Sequence, residues 1–246
     1  MNVKYLNFTQ ENHLDNTFLC KYIPLERTLI ALNEHKLWFA NPEVWKDPYE
    51  SYFLNNSFGD HDCILKNRVW ASCFTTRGRS EAQWKAYSEN EPSMMLELEG
   101  ASFINRISQQ VKDAATIYVG KVQYVSTARI KKTNCWEILG VSPSELENTS
   151  EEELSIRLML LKRLPFQYEN EIRIFIVFHN TLEGKKINGD YVNNVIDKDV
   201  LNRITICPNV IGYTRELLRD HLKQKGYKVG CHLLYDNAIN QVIELV

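Results

Sequence analysis

Three charged side chains spaced two apart, Glu169, Glu171 and Arg173, open the stretch FQYENEIRIFIV. On an extended strand all three project from one face. Two carboxylates at that spacing have Cα atoms roughly 6–7 Å apart. One can hydrogen-bond a sugar hydroxyl while the other stabilises positive charge on a neighbouring carbon, which is what bond cleavage at an anomeric carbon requires. Arg173 would either restrain Glu171 or bind a phosphate. The plainer alternative is an ion-pair ladder on a solvated sheet face, where each pair is worth at most about 1 kcal/mol.

Two other clusters carry suitable side chains. In LWFANPEVWKDPYE, Trp45, Asp47, Tyr49 and Glu50 concentrate aromatic and acidic groups in one loop, a pattern suited to ligand contact. The structural alternative is a turn started by Asp47 before Pro48, with Trp45 plugging the core. In WASCFTTRGRSEAQWKAYSEN, the hydroxyls of Ser72, Thr75 and Thr76 can bind a sugar or amide edge. Trp84 and Tyr87, three apart on one helix face, can stack on a flat ring or form a buried stripe. Arg77 and Arg79 can hold a phosphate or stay solvated. Earlier in the chain, TFLCKYI delivers Lys21 and Tyr22. The six histidines, His13, His35, His61, His179, His221 and His232, are dispersed. The cysteines, Cys20, Cys63, Cys73, Cys135, Cys207 and Cys231, show no zinc spacing, so no metal site is expected and reduced, buried thiols are. A nucleophilic role for Cys73 would need a base placed beside it.

The elements that must position these groups follow from periodicity. Strands are predicted at 17–23, 37–40, 69–76, 93–100 (half-buried, by its alternation), 117–126 (a strand or a hairpin arm), 166–178 and 200–208, with a last one in KVGCHLLYD. Helices are predicted in LERTLIALNEHK, in RSEAQWKAYSE, at 102–113, across 144–164 as the longest, and at 214–227 with Gly226 as C-cap. Ser80 is the expected N-cap of the second helix, with Gln83 completing a capping box. NGDY marks a turn at 188–191. Strands often follow one another directly, so the expected class is α+β: one domain, 1–246, with a central mixed or antiparallel sheet flanked by helices. No GxGxxG follows a strand, which disfavours a Rossmann fold, and no P-loop, HExxH or GxSxG motif occurs.

Composition sets the outer bounds. With 246 residues, 44% hydrophobic and 24% charged, the chain has the composition of a soluble globular protein. A net charge of -2 lacks the basic stripe of a dedicated nucleic-acid binder, though a local patch could still accept a nucleic acid as substrate. Neither a signal-peptide run nor an 18-residue apolar span is present, so a cytoplasmic protein without a membrane partner is expected.

Taken together, the opening KY, LWFANPEVWKDPYE, SCFTT followed by W..Y, the VQY strand and KRLPFQYENEIR resemble a bacterial family known as domain of unknown function 2971, over nearly the whole chain. Lys46 and Phe166 depart from it, standing where Asn and Trp are typical. More distantly, the order of motifs is similar to that of ADP-ribosyltransferases, and the resemblance implies an ADP-ribosyltransferase-like fold that holds NAD bent in a cleft. It sets Lys21 and Tyr22 at the first motif, Ser72 to Thr76 at the second, and Glu169 with Glu171 at the third. By that resemblance Glu171 binds the nicotinamide ribose and stabilises the oxocarbenium, and Glu169 orients a protein or nucleic-acid acceptor. Lys21 departs from the usual Arg or His, and SCFTT matches the Ser/Thr motif loosely. The expected activity is NAD-dependent ADP-ribosyl transfer by a toxin or phage-defence effector. Catalysis would fall to Glu171 and Glu169, and NAD contacts to Lys21, Tyr22, Asp47, Glu50, Ser72, Thr75, Trp84, Tyr87 and Arg173. Two alternatives stay open: a metal-dependent nuclease or other nucleotide or sugar hydrolase, and a non-enzymatic interaction module of a defence system.

Overall fold

β-branched and aromatic runs separated by amphipathic helices build a sheet with helices packed on it. The computed structural model describes residues 3–8, 14–45, 47–50, 65, 67–78, 80–88, 90–132, 134–180 and 191–231. Its strands are β1 (Val3–Leu6), β2 (Phe18–Pro24), β3 (Leu37–Trp38), β4 (Val69–Thr75), β5 (Ser93–Glu99), β6 (Ala115–Lys121), β7 (Gln123–Val125), β8 (Leu161–Arg163), β9 (Glu171–Phe178), β10 (Tyr191–Val192), β11 (Leu201–Ile206) and β12 (Val229–Cys231). Eight of them form one sheet in the order β1-β6-β9-β4-β2-β5-β11-β12. The outer pairs β1–β6 and β11–β12 are parallel and the inner pairs antiparallel, so the sheet is mixed. The class is α+β, a single domain with a large mixed sheet flanked by helices, as the run of adjacent strands implied. Among the described residues no helix is long and apolar enough to cross a membrane.

β9 lies inside the sheet, and both of its faces are covered. Ile172, Ile174 and Ile176 enter the main core with Phe103, Ile104 and Ile107 of the helix Gly100–Val111. Phe175 and Val177 enter a second core with Tyr118, Leu160, and Ile156 and Met159 of the helix Glu151–Met159. Burial on both sides explains why IRIFIVF reads as nearly continuous apolar sequence.

Several expectations need correction. Residues 166–178 are not one strand. Leu164–Glu169 is a 3-10 helix with Pro in its first turn, and Asn170 takes the left-handed conformation at φ 43 before β9 begins at Glu171. Asn tolerates that region because its short polar side chain bonds locally, and Asn170 Nδ2 does donate to the Thr76 hydroxyl. Residues 144–164 are not one helix either. Pro143–Glu147 ends, Ser150 caps a new helix by accepting from Glu153 N–H, and β8 pairs in parallel with β7. Ser150 and Glu153 carry the S-x-x-E capping signature, so the break was readable. β5 is buried at Ser93 through Leu96 rather than half-buried, because the helices Leu25–Glu34 and Gly100–Val111 pack against it. The two glutamates that suggested alternation are used structurally: Glu97 accepts from Asn202, and Glu99 caps the helix Gly100–Val111. Lys46, Arg79, Cys63, His13, His61, His232 and the 188–190 part of the NGDY turn lie outside the described residues.

Gly120 is cross-strand from Arg173 on β9, and a Cβ there would stand 2.2 Å from a Leu160 methyl. G120A is therefore expected to lower stability by about 1–3 kcal/mol through overpacking. Shortening the neighbour in G120A/L160V should recover part of that loss. Urea denaturation of the four proteins in the cycle measures the coupling, and strict additivity would count against the contact.

Candidate active site at a parting of the sheet

β2 is in register with β5 from Phe18↔Glu99 to Pro24↔Ser93, but with β4 only at Cys20↔Thr75. Beyond that pair the two strands part. The Lys21 ammonium bonds across, donating to the Cys73 carbonyl at 3.0 Å and lying 5.0 Å from the Phe74 ring centroid. A cavity of about 100 Å³ opens at this parting, lined by β2, β4, the start of β9 and the helix Glu81–Ser88. Tyr22, Thr75, Tyr87, Glu169 and Glu171 all face it. Tyr22 is gripped by that helix: it stacks on Tyr87 with centroids 5.6 Å apart and meets Trp84 edge-on at 4.7 Å.

Behind the cavity sits a buried charge cluster. Arg173, 1% exposed, donates from Nε and Nη2 to the two oxygens of Glu171, at 3.0 Å each. The same guanidinium donates to Glu50 and to the carbonyl of Met159, the last residue of its helix, and lies 4.5 Å from the centroid of the Trp45 ring. Lys162 Nζ stands 2.6 Å from Glu169, 3.2 Å from Glu171 and 3.3 Å from Glu50. The solvated ladder considered from spacing is thereby corrected: these groups are inside the protein. Glu169 reaches the cluster although it belongs to the 3-10 helix and not to β9. The left-handed Asn170 between them brings both carboxylates to one ammonium.

The two carboxylates have opposite electrostatic settings. Burial by itself would raise the Glu171 pKa, but Arg173 and Lys162 outweigh it and hold the group at about 2. For Glu169 burial wins: its carboxyl is raised above the ordinary value of 4.5 despite Lys162. Three carboxylates share two cations here, so a proton on Glu169 neutralises the set. Burial likewise lowers the Lys21 pKa and pushes the Cys73 thiol far up, which removes Cys73 as a ready nucleophile. Carboxyls pushed apart in this way are suited to separate roles, one a permanent anion and the other a proton acceptor or donor.

Of the residues singled out from sequence, Lys21, Tyr22, Thr75, Tyr87, Glu169 and Glu171 line the cavity. Arg173 and Glu50 act behind it, through Glu171 and Lys162. Ser72 does not line it; its hydroxyl donates to the Trp38 carbonyl at 3.1 Å, and alternation puts it on the face of β4 opposite Cys73 and Thr75. Asp47 is a turn residue, accepting from Tyr49 N–H and pairing with Arg163 at 3.0 Å. Trp84 is buried behind Tyr22, while Tyr87 is 46% exposed, so the two do not form one buried stripe. Two functional positions escaped the sequence reading. Lys162 sits in KRLPFQYENEIR without an assigned role. Gln83 is no capping-box residue: its Nε2 donates to Thr75 Oγ1 at 3.0 Å and to the Glu169 carbonyl at 2.9 Å, locking the hydroxyl and the carboxylate loop together. A cation seven residues before Glu169 was the available signal for Lys162, while Gln83, 86 positions from Glu169, carried none.

Glu171 links stability to pH. Its folded pKa lies below the ordinary 4.5, so its contribution is present above 4.5 and is lost as pH falls towards 2. The shift corresponds to roughly 3 kcal/mol at neutral pH. Glu169 acts with the opposite sign and flattens the total. E171Q should lose roughly 3 kcal/mol at neutral pH, because Arg173 keeps only Glu50 as a charged partner. It should also lose the fall in stability between pH 4.5 and 2. Urea midpoints across that range test this, and an acid slope unchanged in E171Q would refute it.

Neither the curated proteins nor the solved structures contain a significant match to the chain. The matched segment, residues 83–174, runs from Gln83 through the buried Arg173 and takes in Lys162, Glu169 and Glu171; over it the chain is similar to a family described as protein of unknown function (DUF2971).

Proposed function

We propose that this protein is an ADP-ribosyltransferase-like enzyme that cleaves the nicotinamide–ribose bond of NAD. The observation that carries the reading is the pair Glu169 and Glu171, with opposed electrostatic settings, lining one cavity with Tyr22 and Thr75. The three stretches matched to the transferase motifs are far apart in sequence, and residues from each meet there. At about 100 Å³, the cavity has room for the reacting end of a dinucleotide and not for the whole molecule.

The chemistry follows from the charges. As the C1′–N bond breaks, both electrons leave with the ring nitrogen, whose positive charge is discharged, and positive charge builds on C1′ and the ring oxygen. Glu171, kept ionised by Arg173 and Lys162, is a preorganised anion facing that charge. Water or an acceptor hydroxyl then bonds to C1′ and gives its proton to Glu169, whose raised pKa makes it the stronger base of the two. Lys162 holds Glu169 in position while it is charged. Tyr22 and Tyr87 offer ring faces at the mouth. A metal-dependent nuclease would need the same carboxylates, and their oxygens face Lys162 and Arg173 instead.

Nicotinamide release from labelled NAD, in the presence of mixed protein and nucleic acid, tests the proposal. E169Q keeps the size of the side chain and removes the base, so release and label transfer should fall by about 10²–10⁴. For wild type, the rate should rise with pH as Glu169 ionises, and E169Q should lose that rise. No release by wild type, or equal release by both proteins, would sink the reading.

A further inference from the structure

Lys21 and Tyr22 belong to two cavities. The second, about 170 Å³, lies between β2, β3 and the helix Leu25–Glu34, and is lined by Lys21, Tyr22, Arg27, Trp38 and the apolar residues around them. Its charge is opposite to that of the first. Among the described residues no Asp or Glu lines it, and two cations do. Among the described residues neither Lys21 nor Arg27 pairs with a carboxylate. Arg27 is held instead over the Trp38 ring, 4.8 Å from its centroid, and Lys21 by the Cys73 carbonyl. An ammonium has three donors and a guanidinium five, so these two bonds leave most of their capacity unused.

We infer that the cleft takes a bipolar ligand, with a phosphate group held by Lys21 and Arg27 in the second chamber while a cationic or charge-developing centre faces Glu169 and Glu171 in the first. The ligand is thus a phosphorylated nucleoside and not a free nucleoside or sugar; the nature of its reacting end rests on the reading proposed above. Three arguments converge. A half-buried lysine whose charge is disfavoured by its surroundings regains favour for the charged form when an anion arrives beside it. An arginine stacked on an aromatic ring presents its edge N–H groups to a phosphate without losing the stack. Lys21, shared by both chambers, stands between the carboxylates and the anion site, so its charge screens the ligand's phosphate from Glu171.

Equilibrium binding to E169Q, which slows turnover, separates the possibilities. The ligands are NAD, nicotinamide riboside (the same cation without phosphates) and ADP-ribose (the phosphates without the cation). NAD should bind about tenfold or more tighter than nicotinamide riboside, with an advantage that shrinks as salt is raised. R27Q, on an exposed helix position, should weaken NAD and ADP-ribose by about tenfold and leave nicotinamide riboside unchanged; K21M should act in the same direction. Equal affinity for NAD and nicotinamide riboside, an equal effect of R27Q on all three ligands, or binding of none of them would overturn the inference. Cleavage is read separately. ADP-ribose binding that depends on Arg27, in a protein that releases no nicotinamide, leaves the anion chamber standing and removes the proposed reaction. Release with the same KM in wild type and R27Q does the reverse.

Discussion

A guanidinium that is 1% exposed is tolerable only if its charge is answered inside the protein. Arg173 obtains that answer from four directions: a bidentate pair with Glu171, a bond to Glu50, the carbonyl at the end of the helix Glu151–Met159, and the face of Trp45. The partners come from three separate parts of the chain, Trp45 and Glu50 from the same one. The loop at 45–50, the helix before β8 and the start of β9 are fixed relative to one another because they share this one cation. The negative end of the helix dipole adds to the same attraction. Gly120, opposite Arg173, lets Leu160 pack close and helps seal the cluster from water.

From that anchor the site can be followed outward. Glu171 is held so firmly that its role is that of a fixed charge. Glu169, two residues earlier and on a different element, is held by one ammonium and keeps its freedom to exchange a proton. Gln83 reaches from the helix Glu81–Ser88 to the Glu169 carbonyl and the Thr75 hydroxyl, so one side chain sets the spacing between β4 and the carboxylates. The parting of β2 from β4 supplies the space. Without it Tyr22 and Lys21 would be ordinary sheet residues, and the carboxylates would face a closed wall.

The sequence was most readable where a side chain's role is local. Ser150 and Glu153 announce a helix start, Gly226 takes the left-handed conformation (φ 85) just past the last long helix, and alternating Ile, Phe and Val announce β9. It was least readable where polar residues work over long distances. Gln83 bonds a carbonyl 86 positions away, and the spacing that suggested a capping box was coincidental. Glu97 and Glu99 imitated a half-solvated strand because capping and Asn202 bonding use glutamates as readily as water does.

What the sequence determined by itself was the class of fold, the strands that carry chemistry, and the identity of Glu169, Glu171, Lys21, Tyr22 and Thr75 as side chains worth placing together. The first two follow from periodicity and residue type, which are local properties of the chain; the grouping rested on the order of motifs that resembles ADP-ribosyltransferases. Only the tertiary structure decided that Glu-x-Glu-x-Arg is buried, that Lys162 completes it, that Ser72 and Asp47 stand apart, and that two cavities of opposite charge meet at Lys21. Burial and the pairing of distant charges depend on which elements cover which faces, and charge is stabilised or neutralised according to that cover, not according to neighbours in sequence.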